Sequence, residues 1–370
     1  MKATRKLHDL GQSLWLDNIT RDLLDSGTLR RYIEELSVTG LTSNPTIFDK
    51  AIGGNSWYDA DIRGRADQGL TTEALFFELA IQDLRQAADL FAPIHRRTSG
   101  VDGFVSLEVS PLLAFDTDRT VAQAKQLFAK ADRKNLFIKI PGTKEGLPAI
   151  EEAIYAGIPV NVTLLFSCEQ YLAAAEAYMR GLERRVLAGL NPDIASVASL
   201  FVSRWDRAVA KSLPKELQNQ LGIAISGQAF SAYRDLMDSD RWQKLAGVGA
   251  RPQRLLFAST GSKDPAASPV MYISALAAPN TVNTMPEETL LAFGENGEIP
   301  GILPRSSATA EQALTKLRQA GVDTAAIADQ LQTDGAKSFA DSWHQLMQAI
   351  ESKSKVPAKK APVEKAQVPA

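Results

Sequence analysis

The chain has 370 residues, of which 45% are hydrophobic and 23% are charged, and its formal charge at pH 7 is −2. These values are typical of a globular protein with a large core, and they give no basis for binding nucleic acid or an anionic membrane by charge. The one cysteine, Cys168, excludes an internal disulfide framework, and the three histidines lie far apart without metal-ligand spacing.

The N-terminal segment from Met1 to Leu10 is charged and lacks the apolar core of a signal peptide. No apolar run approaches the length of a membrane span. We therefore expect a cytoplasmic protein that does not associate with membranes. The sequence does not indicate an oligomeric state.

Eight segments along the chain have the length and apolar content of strands, and helical segments separate them. The strands are predicted at Ser13–Ile19, Val38–Asn44, Gly103–Val109, Leu136–Ile140, Val160–Phe166, Ala195–Val202, Arg254–Ser259 and Thr281–Thr284. Helical periodicity is clearest at Phe77–Phe91, Thr120–Ala131 and Cys168–Leu187. Eight alternating strands predict an α/β fold, the parallel (β/α)8 TIM-type barrel. A doubly wound open sheet is the alternative, but no Gly-x-Gly-x-x-Gly turn follows the first strand.

The second half of the chain adds helices to this pattern. The long connection after the sixth strand contains a helix around Gly227–Met237. Three further helices, at Thr309–Leu317, Thr324–Gln332 and Ala336–Ile350, are expected to pack across one end of the barrel. Residues 352–370 are rich in Lys, Pro and Ala and predict a disordered tail, so that residues 1–351 form one domain.

Lys139 is the most unusual residue of the predicted strands, because it interrupts the apolar run from Leu136 to Ile140. Burying an unpaired ammonium is costly, and a buried lysine that loses its proton becomes a nucleophile for carbonyl carbon. Lys139 is therefore a candidate for Schiff-base chemistry. The alternative is that its stem packs in the core while its ammonium reaches water or a carboxylate.

Polar side chains share one face of several predicted strands. In the third, fourth and fifth strands the apolar faces, including Leu164 and Phe166, are expected to contact the helix layer. The opposite faces would then place a polar set inside the barrel, made up of Asp17, Asn44, Glu108, Lys139, Asn161 and Thr163. Barrel interiors are normally filled by branched apolar side chains, so a polar set near the strand ends indicates a catalytic centre. A lysine and two carboxylates fit carbonyl activation by an amine with proton transfer.

Two segments after neighbouring strands have the character of anion sites. Arg204 follows the sixth strand, and the segment from Ser259 to Lys263 follows the seventh. Barrels often bind phosphate there through backbone amides and a cation. The alternatives are a surface ion pair for Arg204 and a solvated loop lysine for Lys263.

Six stretches in order resemble the transaldolase family, in particular its longer bacterial branch. They are Ser13–Asp22, Gly40–Phe48, Val105–Ser110, Phe137–Pro141, Asn161–Ser167 and Leu256–Lys263. The resemblance extends from residue 13 to about residue 350 and implies a (β/α)8 barrel with no cofactor, because the imine itself accepts the electrons.

The resemblance also implies roles for individual residues. Lys139 would form the imine, while Glu108 and Asp17 would transfer protons. The bound unit would be held by Asn44, Asn161, Thr163 and Ser199, and the phosphate by Arg204 and Lys263. Phe201 and Ser259 would be further substrate-binding residues. Many members carry a second arginine where this chain has Gly261. Lys263 would supply the missing charge.

The implied reaction belongs to the pentose phosphate pathway and uses sugar phosphates. A dihydroxyacetone unit moves from sedoheptulose 7-phosphate to glyceraldehyde 3-phosphate, giving erythrose 4-phosphate and fructose 6-phosphate. Two alternatives remain at this stage. One is a fructose 6-phosphate aldolase-like lyase that releases dihydroxyacetone to water, and the other is a barrel that binds sugar phosphates without catalysis.

Overall fold

The computed structural model describes residues 1–65 and 68–355. Eight parallel strands close into a barrel in which each strand pairs with its neighbours in sequence and the last pairs with the first. The strands are β1 (Ser13–Leu16), β2 (Val38–Leu41), β3 (Val105–Glu108), β4 (Leu136–Pro141), β5 (Val160–Leu165), β6 (Ser196–Phe201), β7 (Gln253–Ala258) and β8 (Val282–Met285). The predicted barrel is confirmed, and the open-sheet alternative is wrong.

Helices surround the barrel and connect its strands. In the first half they are α1 (Ala3–Asp9), α2 (Arg21–Asp25), α3 (Thr28–Leu36), α4 (Pro45–Gly53), α5 (Asp59–Arg65), α6 (Thr72–Arg97), α7 (Thr117–Ala131) and α8 (Gly146–Tyr155). In the second half they are α9 (Cys168–Leu187), α10 (Ser203–Val209), α11 (Leu221–Asp238), α12 (Asp240–Gly247), α13 (Met271–Ala275), α14 (Glu287–Asn296), α15 (Ala308–Gln319) and α16 (Thr324–Ser354). Within the described ranges, none of these helices is both long and apolar enough to cross a membrane.

Side-chain caps determine where several of these helices begin. The side chains of Asn44, Asp116 and Ser167 each accept a hydrogen bond from a backbone N–H in the first turn of α4, α7 and α9, respectively. Asn44 is followed by Pro45, whose fixed φ suits the first helical position. Two of these helices, α4 and α9, thus begin within four residues of the carboxyl end of a barrel strand.

The C-terminal region differs from the prediction in two respects. Two helices were expected at Thr324–Gln332 and Ala336–Ile350, but α16 is continuous over 31 residues. Gly335 lies inside this helix without interrupting it, and its lack of a side chain allows close packing. An added Cβ would lie 2.9 Å from Leu164 Cδ2 and 3.0 Å from Arg204 Nη1. The helix also extends through residues 352–354 of the expected tail, while residues 356–370 lie outside the described part.

The two faces of the strands separate two apolar clusters. Val105 and Leu107 pack against the surrounding helices together with Leu136, Ile138 and Ile140 of β4, as predicted. Leu164 and Phe166 were expected on that face, but they pack with Phe339 at the end of the barrel. The pairing of β5 with β6 is irregular here, and Leu164 has a left-handed φ of 59°. This bulge reverses the alternation that the prediction assumed.

Gly40 in β2 marks a close approach inside the barrel. A Cβ added there would lie 2.6 Å from the carbonyl oxygen of Phe104 and 2.7 Å from the indole of Trp15. Trp15 is fully buried, and its Nε1 donates a hydrogen bond to Asp102 Oδ1 at 2.8 Å, so it has little freedom to move. We expect Gly40→Ala to lower the free energy of unfolding by about 1–3 kcal/mol, measured by urea denaturation.

Gly64→Ala is the matched control for this experiment. Gly64 lies in α5, and beyond its own helix backbone and chain neighbours an added Cβ would meet no atom of the described residues within 4 Å. Alanine has the higher helix propensity, so this variant should be more stable by about 0.5–1 kcal/mol. Equal unfolding midpoints for the two variants would contradict the packing explanation.

Candidate active site

A pocket of about 470 Å³ opens at the carboxyl ends of the barrel strands. Nine of the eleven predicted site residues line it: Asp17, Asn44, Lys139, Thr163, Ser199, Phe201, Arg204, Ser259 and Lys263. The other two, Glu108 and Asn161, are buried behind this wall and contact residues that line it. The structure therefore brings the predicted residues together, as expected for the catalytic face of such a barrel.

Lys139 lies on β4 with only 4% of its surface exposed. Its Nζ is 3.1 Å from Oε2 of Glu108, which occupies the paired position on β3. The same Nζ donates a hydrogen bond of 3.2 Å to the carbonyl oxygen of Ser43. Lys139 thus has a buried carboxylate partner, a contact that the alternative interpretation also allowed, so this ion pair is common to both interpretations.

Glu108 is only partly satisfied by this pair. Among the described residues, neither of its carboxylate oxygens has a partner in good hydrogen-bonding alignment. Burial raises the pKa of Glu108, while the nearby Lys139 ammonium opposes the rise. A carboxylate with a raised pKa is a stronger base than a free one, so Glu108 is suited to take a proton from Lys139.

Asp17 follows β1 and is held by a short chain of hydroxyl groups. Thr42 Oγ1 donates a hydrogen bond of 2.7 Å to Asp17 Oδ1 and lies 2.7 Å from Thr284 Oγ1. Thr42 has one hydroxyl proton, so Thr284 must donate to Thr42 in this arrangement. Burial raises the pKa of Asp17, whereas Lys139 and the hydrogen bond from Thr42 lower it.

The pH dependence of activity should respond to Thr42. Thr42→Val removes the hydrogen bond that favours ionised Asp17, so the pKa of Asp17 should rise. A protonated carboxyl is not a base, and the acid limb of the kcat/KM profile should therefore move to higher pH. Thr42→Ser keeps the donor and should leave this limb in place. Equal limbs for the valine and serine variants would contradict a role for the Thr42 hydroxyl.

The hydroxyl and amide groups near Lys139 form a second set of contacts. Ser199 Oγ donates to Asn161 Oδ1 at 2.7 Å, and Asn161 Nδ2 donates to Ser106 Oγ at 3.1 Å. Asn161 therefore orients Ser199 from behind the pocket wall. Thr163 Oγ1 is buried and has no hydrogen-bond partner among the described residues, which leaves it available to a ligand hydroxyl.

The opposite side of the pocket is positively charged. The guanidinium of Arg204 lies between two aromatic rings, with Cζ 4.9 Å from the ring centroid of Phe201 and 5.7 Å from that of Phe339. Burial, and then the like charge of Arg207, lower the pKa of Arg204. Neither arginine forms an ion pair within residues 1–65 and 68–355, and the same is true of Lys50 and Lys263, which also line the pocket. Such a group of cations favours an anionic ligand.

Ser259 shapes the loop at this end. It has a left-handed φ of 56°, uncommon for a residue with a side chain, and its Oγ lies 3.0 Å from that of Ser203. Ser203 N also donates to the carbonyl oxygen of Ser259 at 3.0 Å. The turn joins the loops after β6 and β7, which carry Arg204 and Lys263, respectively.

Several pocket residues were absent from the sequence prediction. Thr42 lies two residues before Asn44, so strand alternation alone would have placed it on the same face. Arg207 lies one helical turn after Arg204, so helical spacing would have placed the two on the same side of the helix. No sequence pattern indicates Phe339, because α16 reaches the pocket only through tertiary packing. In the described part of the chain, no three His, Cys, Asp or Glu side chains gather as a possible metal site.

Comparisons with known proteins cover nearly the whole chain. Residues 14–350 match the family model described as Transaldolase/Fructose-6-phosphate aldolase. Two proteins named Transaldolase, from Parafrankia sp. (strain EAN1pec) and Thermobifida fusca (strain YX), are each 44% identical to this chain over 94% of its length. The matches span 97% and 96% of those two proteins, respectively. Transaldolase 2 from Nostoc sp. (strain PCC 7120) is 39% identical over 95% of this chain and 97% of its own length. The chain therefore belongs to the transaldolase/fructose-6-phosphate aldolase family.

Proposed function

We propose that this enzyme transfers a dihydroxyacetone unit from a ketose phosphate to an aldose phosphate through an imine on Lys139. Transaldolase function follows from the family and from relatives that match nearly the whole chain. Sedoheptulose 7-phosphate is the proposed donor and glyceraldehyde 3-phosphate the acceptor. Residues 1–351 would act as one catalytic unit in the cytoplasm.

The contact between Lys139 and Glu108 is the observation that carries this proposal. A buried amine attacks a ketone only after losing its proton, and Glu108 Oε2 is 3.1 Å from Nζ. Nζ then forms a bond to the carbonyl carbon, and the carbonyl oxygen leaves as water once it has been protonated. Protonated Glu108 is the proposed source of that proton, directly or through a water molecule.

Asp17 is the proposed base for carbon–carbon cleavage. It takes the proton from the hydroxyl on the carbon that departs, the carbon–carbon bond breaks, and the electron pair moves to the iminium nitrogen to give an enamine. Asp17 lines the pocket, and its raised pKa makes it a stronger base than a solvated carboxylate. The reverse sequence joins the enamine carbon to the acceptor aldehyde.

The remaining pocket residues are proposed to bind the sugar chain and its phosphate. Thr163 and Ser199 offer hydroxyl groups close to Lys139, while Asn161 orients Ser199. Asn44 caps α4 through its side-chain oxygen, which accepts from Ile47 N at 3.0 Å, so its amide NH₂ remains available to the ligand.

The phosphate is proposed to lie beside Arg204 and Lys263. Gly261 provides no charge where many family members have an arginine, and Arg207 lines the same wall. Arg207 is therefore a second candidate, besides Lys263, for the missing positive charge.

A donor assay with and without acceptor tests the proposed transfer. We expect fructose 6-phosphate to be consumed rapidly only when erythrose 4-phosphate is present, with sedoheptulose 7-phosphate and glyceraldehyde 3-phosphate as products. Equal consumption of fructose 6-phosphate without an acceptor would contradict transfer and indicate the aldolase activity that shares this family description.

A further inference from the structure

The last helix, α16, is fixed across the open end of the barrel. Gln332 Nε2 donates to the carbonyl oxygens of Leu164 at 3.0 Å and Gly142 at 3.1 Å. Further along the helix, Ser342 Oγ lies 2.8 Å from Thr46 Oγ1 on α4. These contacts attach α16 to opposite sides of the pocket, so the segment between residues 332 and 342 forms part of the wall.

Gly335 allows this segment to lie close to the active site. A Cβ on Gly335 would meet Leu164 Cδ2 at 2.9 Å and Arg204 Nη1 at 3.0 Å. The helix backbone therefore approaches both the bulge in β5 and the phosphate-side arginine. One turn later, this close approach places Phe339 at the pocket.

Phe339 lines the pocket between its two chemical ends. Its ring centroid is 5.7 Å from Lys139 Nζ and 5.7 Å from Arg204 Cζ, and only 3% of the residue is exposed. The ring has no hydrogen-bonding group with which to hold a water molecule beside the amine. The preceding residue, Ser338, also lines the pocket, but its side chain is polar. Of these two residues, only Phe339 offers the pocket an apolar surface.

The reaction has one intermediate for which this property matters. After cleavage, the dihydroxyacetone unit remains on Lys139 as an enamine. If its terminal carbon takes a proton, water can add to the resulting iminium carbon, and the carbon–nitrogen bond then breaks to release dihydroxyacetone and the free amine. Transfer instead requires that the enamine wait for an aldehyde with water kept away.

We propose that Phe339 is a specificity-determining residue that favours transfer over release of dihydroxyacetone, by occupying with an apolar ring the space from which water would reach the Lys139 imine. This inference rests on the proposed function. It assigns this role to the C-terminal helix, α16.

The test is the ratio of dihydroxyacetone release to transfer. Phe339→Ala, assayed with fructose 6-phosphate and erythrose 4-phosphate, should raise the ratio of dihydroxyacetone formed to sedoheptulose 7-phosphate formed at least about tenfold. Phe339→Leu keeps an apolar side chain of smaller volume and should give an intermediate ratio. The leucine variant also decides the question if the alanine variant does not fold.

Leu346→Ala is the matched control. Leu346 is fully buried on the same helix but packs in the core formed with the outer helices, away from the pocket. This variant should lose stability while the product ratio stays at the wild-type value. A wild-type ratio in folded Phe339→Ala or Phe339→Leu would overturn the inference, as would an equal rise in Leu346→Ala.

Borohydride trapping separates this inference from the proposed function. Phe339→Ala should still form a reduced adduct on Lys139 with fructose 6-phosphate, because the amine and Glu108 are unchanged. If Phe339→Ala forms the adduct but its product ratio is unchanged, only the role of Phe339 is contradicted, and the imine mechanism stands. Absence of the adduct in the wild-type enzyme contradicts the imine mechanism itself.

Discussion

Lys139→Met should reduce transfer activity by at least roughly a thousandfold, because no other pocket group supplies an amine at that position. Methionine retains a long apolar stem that fits the buried site on β4. Glu108 loses its counter-charge in this variant, so burial should raise the pKa of its carboxyl further and favour the neutral acid. The loss of activity should therefore occur without loss of the fold.

The measurement is kcat/KM with fructose 6-phosphate and erythrose 4-phosphate, accompanied by circular dichroism. Lys263→Met is the control, since it removes a pocket cation that is exposed and lies outside the proposed chemical step. That variant should mainly raise KM for phosphorylated substrates. Comparable kcat losses in the two variants would contradict a covalent role for Lys139.

Glu108→Gln should lower kcat by about 10²–10⁴-fold, the range typical of a lost general acid–base group. Glutamine has nearly the same shape, and its side-chain oxygen can occupy the position of Oε2 beside Lys139 Nζ. It cannot take a proton from the ammonium or return one to the departing oxygen. The slow steps should therefore become imine formation and dehydration.

Single-turnover kinetics distinguishes this explanation from a loss of binding. In Glu108→Gln, the rate at which the reducible imine accumulates should fall by the same factor as kcat, while the concentration of substrate that half-saturates the enzyme should change little. A large rise in half-saturation with normal imine accumulation would contradict the proton-transfer role of Glu108.

The sequence predicted much of this molecule because its signals are local. Alternating strands and helices determine the barrel, and Glu108 and Lys139 are both recognisable as charged residues within apolar strands. The register of β3 and β4 then pairs these two residues directly. Their contact follows once the order of the strands is known.

Features that depend on tertiary packing were not predictable. The bulge at Leu164 reverses the alternation of side chains between the two faces of β5, and no local sequence pattern predicts its left-handed conformation. Two helices were predicted where α16 is continuous, and Gly335 between them allows this helix to approach Arg204 closely. Phe339 reaches the pocket from 200 residues beyond Lys139, so its role depends entirely on how α16 crosses the barrel.

The most direct test of the central claim is chemical trapping of the imine. The wild-type protein is incubated with fructose 6-phosphate, reduced with borohydride and digested, and its peptides are mapped by mass. We expect the added mass of a reduced dihydroxyacetone unit or of the whole sugar phosphate on the peptide that contains Lys139, and on no other lysine peptide. An unmodified Lys139 peptide, or an adduct on a different lysine, would contradict the mechanism.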